Sequence, residues 1–202
     1  MASRPELPRP SAVRRLLTPA IAVISSLIRL SGTPAREPYW ARAMRYRFDD
    51  CLPSAGKRFG VLYAGDGLET AFAESVLHEA SLYRGGRYLV AEEDIDRRAV
   101  VTFRHPARDT LTLADFTGKA LKSLGLNNDI SAGDDYTLPQ QWSRLVHETG
   151  GEWDGIRYVS RQQNDACCYA IFDRSGLVKR ASRPMTKTEK RSLRLKFRVS
   201  VI

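Results

Sequence analysis

The stretch from Phe59 to Tyr83 constrains this chain more than any other. Phe59-Gly60-Val61-Leu62-Tyr63-Ala64 reads as a strand, closed by Gly65-Asp66-Gly67. A helix is expected next, over about 68–83, with Asp66 as its N-cap and Glu69 at capping-box spacing. On a helical wheel, Leu68, Ala71, Phe72, Ala73, Val76, Leu77, Ala80 and Tyr83 cover most of the circumference. Thr70, Glu74, His78 and Ser81 gather on the narrow face that remains. Such a helix is buried on most sides, so it needs a sheet beneath it and other elements around it. Its one polar strip, with Glu74 at the centre, faces either solvent or a cleft.

The rest of the chain supplies that sheet. Residues 20–30 read as one or two short strands, although the basic pair Arg14-Arg15 before an apolar run also has the look of a secretory signal. The run is too short and too interrupted for a transmembrane helix. Residues 31–58 have no clear period and are expected as a loop that can wrap a site. Arg87–Ile95 and Ala99–Phe103 look like strands around an acidic turn, 111–115 like a short strand and 116–124 like a short helix. A helix is expected over 136–149, ended by Gly150-Gly151. Trp153–Tyr158 and Ala166–Phe172 then read as two strands joined by the polar loop Ser160–Asp165. Strands separated by single helices, with hairpins among them, indicate an α+β (mixed α/β) domain rather than a doubly wound one.

Composition narrows the class. The 202 residues are 43% hydrophobic and 27% charged, which excludes a disordered, collagen-like or disulfide-framework protein. The net charge of +9 is unevenly spread. Residues 179–198 carry +8 and residues 1–45 carry +6, which leaves 46–178 at −5. The expected division is a flexible basic arm over 1–15, a folded domain over 16–178 and a basic C-terminal segment over 179–202. Basic tails suit solubility, an acidic partner or nucleic acid. The three cysteines form no framework, which favours a reducing, cytoplasmic setting, and the three histidines form no metal-binding set.

No dinucleotide fingerprint, P-loop, nucleophile elbow or zinc spacing is present. Instead, five blocks occur in order. They are LIRL with Arg29, RYRFDD with Arg47, the run from Phe59 to Glu79 with Tyr63 and Glu74, WDGIRYVSR with Ser160, and CCYAIFD. Together they resemble the RES domain, named for an arginine, a glutamate and a serine, over roughly residues 27–175. Carried over by position, Arg29 matches the family's arginine, Glu74 its glutamate and Ser160 its serine. Arg47 matches a second arginine that precedes an aromatic, although Tyr46 stands where a glycine is usual. Arg58 is a rival for that role. Tyr63 matches the tyrosine that ends the strand.

The resemblance implies an ADP-ribosyltransferase-like fold with a largely antiparallel, split sheet. It also implies an enzyme that degrades NAD⁺, acting as a toxin paired with an Xre-type antitoxin. NAD⁺ would be the substrate, with inorganic phosphate or water as the acceptor, and no cofactor or metal is implied. The residue types suit that chemistry. Arginines bind a pyrophosphate through a planar fork. Breaking the nicotinamide–ribose bond creates positive charge on the ribose, which a carboxylate such as Glu74 stabilises. Tyr63 offers a face for stacking, and Ser160 a hydroxyl for nicotinamide or ribose. Each residue also has a plainer role. Arginines can pair with Asp49 or Asp154, Tyr63 can belong to the core, and Ser160 can cap a turn. Two other functions stay open: ADP-ribosyl transfer to a macromolecule, and nucleic-acid binding by the basic C-terminal segment. With an antitoxin present, contact with nucleic acid would be indirect. A homo- or hetero-oligomer is compatible with either.

Overall fold

The computed structural model describes residues 7–78 and 83–202. The strands are β1 (Pro19–Val23), β2 (Ile28–Ser31), β3 (Val61–Gly65), β4 (Tyr83–Arg84), β5 (Arg87–Val90) and β6 (Ala99–Arg104). They continue with β7 (Thr110–Phe116), β8 (Gly155–Val159), β9 (Cys167–Phe172), β10 (Val178–Pro184) and β11 (Val199–Val201). The helices are α1 (Pro10–Leu16), α2 (Leu68–Phe72), α3 (Glu92–Asp96) and α4 (Gly118–Ser123). They continue with α5 (Asp129–Ala132), α6 (Thr137–Glu148) and α7 (Lys187–Lys196).

Eight strands form one sheet in the order β1-β7-β8-β9-β3-β2-β6-β10, antiparallel except for the β7–β8 pair. This is the mixed, largely antiparallel α+β architecture expected from the sequence. The sheet is also split. β2 and β3 share a single register pair, Ile28 with Gly65, whereas β3 pairs with β9 along its whole length. The strands splay apart from that point, and the outer edge of β3 is taken up at Val61 by an isolated bridge to Ala41. Between these two pairings the edge of β3 lies open, and the cleft described below forms there.

Apolar clusters lie on both sides of the sheet. One joins α1, α6 and the inner strands through Val13, Phe48, Phe116, Trp142, Ile156 and Phe172. Another gathers α2, α7 and the second sheet around Phe72, Leu77, Ile95, Leu193 and Val199. That second sheet has the order β11-β5-β4. Close backbone approach requires glycine at Gly155, where an added Cβ would lie 2.2 Å from the Ala170 carbonyl oxygen on β9. No helix among the described residues is long and apolar enough to cross a membrane.

Several local expectations are corrected. Asp66 does not cap α2. Gly67 occupies the N-cap position without a side-chain bond, and Asp66 instead accepts from the Thr70 hydroxyl and the Cys167 N–H, tying β9 to the first turn. The helix expected over 68–83 widens after Phe72 into a π-helical turn over Ala73–Leu77. Ala80 and Ser81 of that expected helix lie outside the described residues. Tyr83 opens β4, because Gly85 and Gly86 at φ 58° and 75° close a tight hairpin with β5. The strand expected over Arg87–Ile95 stops at Val90, and the acidic run Glu92-Glu93-Asp94 makes the first turn of α3, where carboxylates favour the helix dipole. Within the expected arm over 1–15, Pro10 starts α1 and Val13 is fully buried. At the other end, β10 pairs along β6, and α7 begins with a complete Thr186/Glu189 capping box.

Candidate active site

The cleft opens at the split between β2 and β3 and encloses about 390 Å³. Arg29 enters it from β2. Its Nη1 donates to the Tyr63 carbonyl at 2.9 Å, so the guanidinium occupies the open edge of β3 in place of a neighbouring strand. Its Nε donates at 2.8 Å to Glu37, whose carboxylate is fully buried and also accepts from the Tyr39 N–H. Two of the guanidinium's three nitrogens are thus fixed, and Nη2 has no protein partner among the described residues.

Tyr63 lines the same cleft. Its hydroxyl donates to Asp49 at 2.9 Å and accepts from the Phe48 N–H at 2.9 Å. Burial, with the Asp49 charge adding to it, holds the phenol well above its ordinary range, so it stays protonated. Asp49 is itself fully buried and accepts from the Arg45 and Tyr46 N–H groups. Burial pushes its carboxyl up, and these hydrogen bonds oppose the shift. One aspartate therefore ties the 45–48 loop to β3 and sets Tyr46 edge-on to Tyr63, 5.6 Å between centroids.

Arg47 also lines the cleft. It donates to the Gly133 carbonyl at 2.7 Å and sits over the Tyr136 ring, 4.6 Å from its centroid. Arg58, its rival in the sequence, is turned away. Its guanidinium donates to the Leu52, Arg42 and Pro53 carbonyls, and it does not line the cleft.

Glu74 stands in the π turn that follows α2. This wider turn lets a helix buried on most sides present a carboxylate to the cleft, a placement typical of π turns at functional sites. Its Oε1 accepts from the Ser160 hydroxyl at 2.5 Å and from the Gln162 N–H at 3.3 Å. Ser160 is 1% exposed, does not line the cleft, and accepts from the Gln162 and Gln163 N–H groups. It therefore caps the turn and holds Glu74 at the same time. The neighbouring Cys168 is buried, which pushes its thiol well up and leaves it protonated, a poor nucleophile.

Five of the six residues singled out in the sequence thus converge. Arg29, Arg47, Tyr63 and Glu74 line one cleft, and Ser160 stands behind Glu74. The carboxylates named as possible arginine partners are used differently. Asp154 binds Arg108 bidentately, whereas Asp49 binds no arginine side chain among the described residues. Sequence reasoning missed Glu37, Tyr46 and Tyr136. Glu37 sits in an aperiodic loop with no marking pattern, while Tyr46 could have been found from its place beside Arg47.

Comparison with known proteins gives the family and a shared fold. The family model of the RES domain matches residues 26–196. The chain belongs to the RES-domain family. The match runs through β10 and α7, so the basic C-terminal residues up to Lys196 fall within the family's domain. Among solved structures, one chain from the M. tuberculosis MbcT–MbcA toxin–antitoxin complex superposes with a TM-score of 0.65. It shares 17% identity, and the alignment covers 92% of this chain and 95% of that one. At that identity the likeness establishes a shared fold. A search of curated proteins gave no match.

Proposed function

We propose that this RES-domain protein is an NAD⁺-degrading enzyme that cleaves the nicotinamide–ribose bond and acts as the toxin of a toxin–antitoxin pair. The observation that carries the reading is Glu74, held by Ser160 at 2.5 Å in a cleft whose walls carry Arg29 and Arg47. Two arginines suit the two charges of a pyrophosphate. A carboxylate held in fixed orientation stabilises the positive charge that builds on the ribose as neutral nicotinamide leaves with the bonding electron pair. An oxygen of phosphate or water then bonds to the ribose carbon, and attacking water gives up its proton. Ser160 acts as a positioning residue in this scheme, because its hydroxyl is already committed to Glu74. Tyr46 and Tyr63 offer aromatic surface to the nicotinamide or adenine.

The toxin assignment draws support from the RES family and from the fold shared with a chain of a toxin–antitoxin complex. A cognate Xre-type antitoxin would restrain the cytoplasmic enzyme by covering the cleft. Expression of the wild type without it is expected to arrest growth and drain cellular NAD⁺, and Glu74→Gln to do neither. Arrest with an unchanged NAD⁺ pool would reject the proposal. In vitro, products formed with and without phosphate assign the acceptor. ADP-ribose-1-phosphate means phosphorolysis, free ADP-ribose means hydrolysis, and label on protein means transfer.

A further inference from the structure

The basic C-terminal residues are not spread over a solvated tail. Six cations, Arg87, Lys187, Lys190, Arg191, Arg194 and Arg198, line one shallow groove of about 970 Å³, against only two carboxylates, Glu92 and Asp96. The carboxylates are already engaged. Asp96 pairs with Lys190 at 2.5 Å, and Glu92 lies 3.9 Å from Arg194. Arg87, Lys187, Arg191 and Arg198 are exposed and make no side-chain ion pair among the described residues. Leaving four like charges unpaired around one groove is electrostatically unfavourable for the protein alone, and an anionic occupant relieves it.

Two further features of the groove say what kind of anion fits. Leu195 lines it and is 70% exposed, an apolar contact among the cations. β11 also lines it and is the end strand of its sheet, with its outer edge unpaired among the described residues. A free strand edge offers alternating N–H and C=O groups to an extended peptide. Nucleic acid fits less well, because single-strand platforms stack bases on exposed aromatic rings. No aromatic residue among the described residues lines the groove, and the adjacent Phe197 is stacked on Phe72, 5.8 Å between centroids.

We propose that this groove docks an extended acidic peptide segment of a partner protein, with an apolar residue seated on Leu195 and backbone pairing along β11. The surface shares no lining residue with the cleft, so it is independent of the proposed chemistry. The test uses fluorescence anisotropy on the full chain with three labelled probes: a twelve-residue Glu/Asp peptide with a central Leu, a 20-nucleotide dT strand and a 20-base-pair duplex. The peptide is expected to bind at least tenfold tighter than either nucleic acid, with affinity that falls as salt rises. Lys187→Glu with Arg191→Glu should weaken it at least tenfold. Leu195→Ser should weaken it severalfold and leave the salt dependence unchanged. Preference for either nucleic acid overturns the proposal, as does peptide binding unmoved by the charge reversals in a variant of unchanged circular dichroism.

Discussion

At the residue scale, three of the cleft groups are each held by a second residue that does not itself line the cleft. Glu74 is held by Ser160, Arg29 by Glu37, and Tyr63 by Asp49. Replacement of Ser160 by Ala removes a charge-assisted hydrogen bond from Glu74 and two turn contacts. It is expected to lower kcat for NAD⁺ cleavage by about tenfold or more with little change in KM, since Ser160 does not line the cleft. A rise in KM at constant kcat would instead mean that Ser160 contacts substrate. Arg47→Ala should raise KM strongly, and Arg58→Ala should leave it unchanged while lowering the melting temperature through three lost carbonyl contacts. The reverse pattern would return the binding role to Arg58. Tyr63→Phe leaves the buried Asp49 short of a donor and the Phe48 N–H without an acceptor, so a loss of about 1–3 kcal/mol is expected in urea unfolding.

At the element scale, the polar strip on the 68–78 helix was legible because its apolar residues leave room for little else. What periodicity could not show was the π turn that widens it at Ala73–Leu77, nor the Asp66 link to β9 in place of a cap. A capping-box spacing is a local pattern, and here a tertiary partner, the Cys167 N–H, takes the side chain. The Gly85-Gly86 hairpin was readable in principle, since paired glycines allow the positive φ angles it needs. The assumed continuation of the helix to Tyr83 hid it. The β8–β9 contact is equally demanding. Gly155→Ala should cost about 3 kcal/mol or more, or prevent folding, because the backbone of β9 fills the space. A stable Gly155→Ala variant would contradict the close packing of this hairpin. Helix α6 adds a pH effect. His147 stacks on Phe59, 4.0 Å between centroids, and burial, aided by Arg174, lowers its pKa to about 4. A folded-state pKa below the unfolded value near 6.5 favours the neutral ring. Its contribution is full above pH 6.5 and is lost as pH falls toward 4. Melting temperature should decline through that window in the wild type and less steeply in His147→Leu.

At the scale of the whole molecule, the chain separates its charge by place. The acidic middle and the β2 segment with Arg29 build the cleft, where Arg29 and Arg47 are each fixed by named partners, and the largest positive excess along the chain lies in 179–198, around α7. The sequence blocks allowed the fold class to be read, and five of the six residues picked from them come together at one cleft. Glu37 stayed hidden because it reaches Arg29 from an aperiodic loop, and Tyr136 because a helix period does not show that its N-cap residue borders the cleft. Choosing between Arg47 and Arg58 likewise needed three dimensions, since both precede an aromatic residue. The account rests on Glu74 acting on NAD⁺, and the direct measurement is nicotinamide release by purified wild type and Glu74→Gln side by side. The expected result is steady release by the wild type and a fall of about a hundredfold or more in a variant of equal melting temperature. Intact NAD⁺ with the folded wild type, or equal release by both proteins, would contradict it.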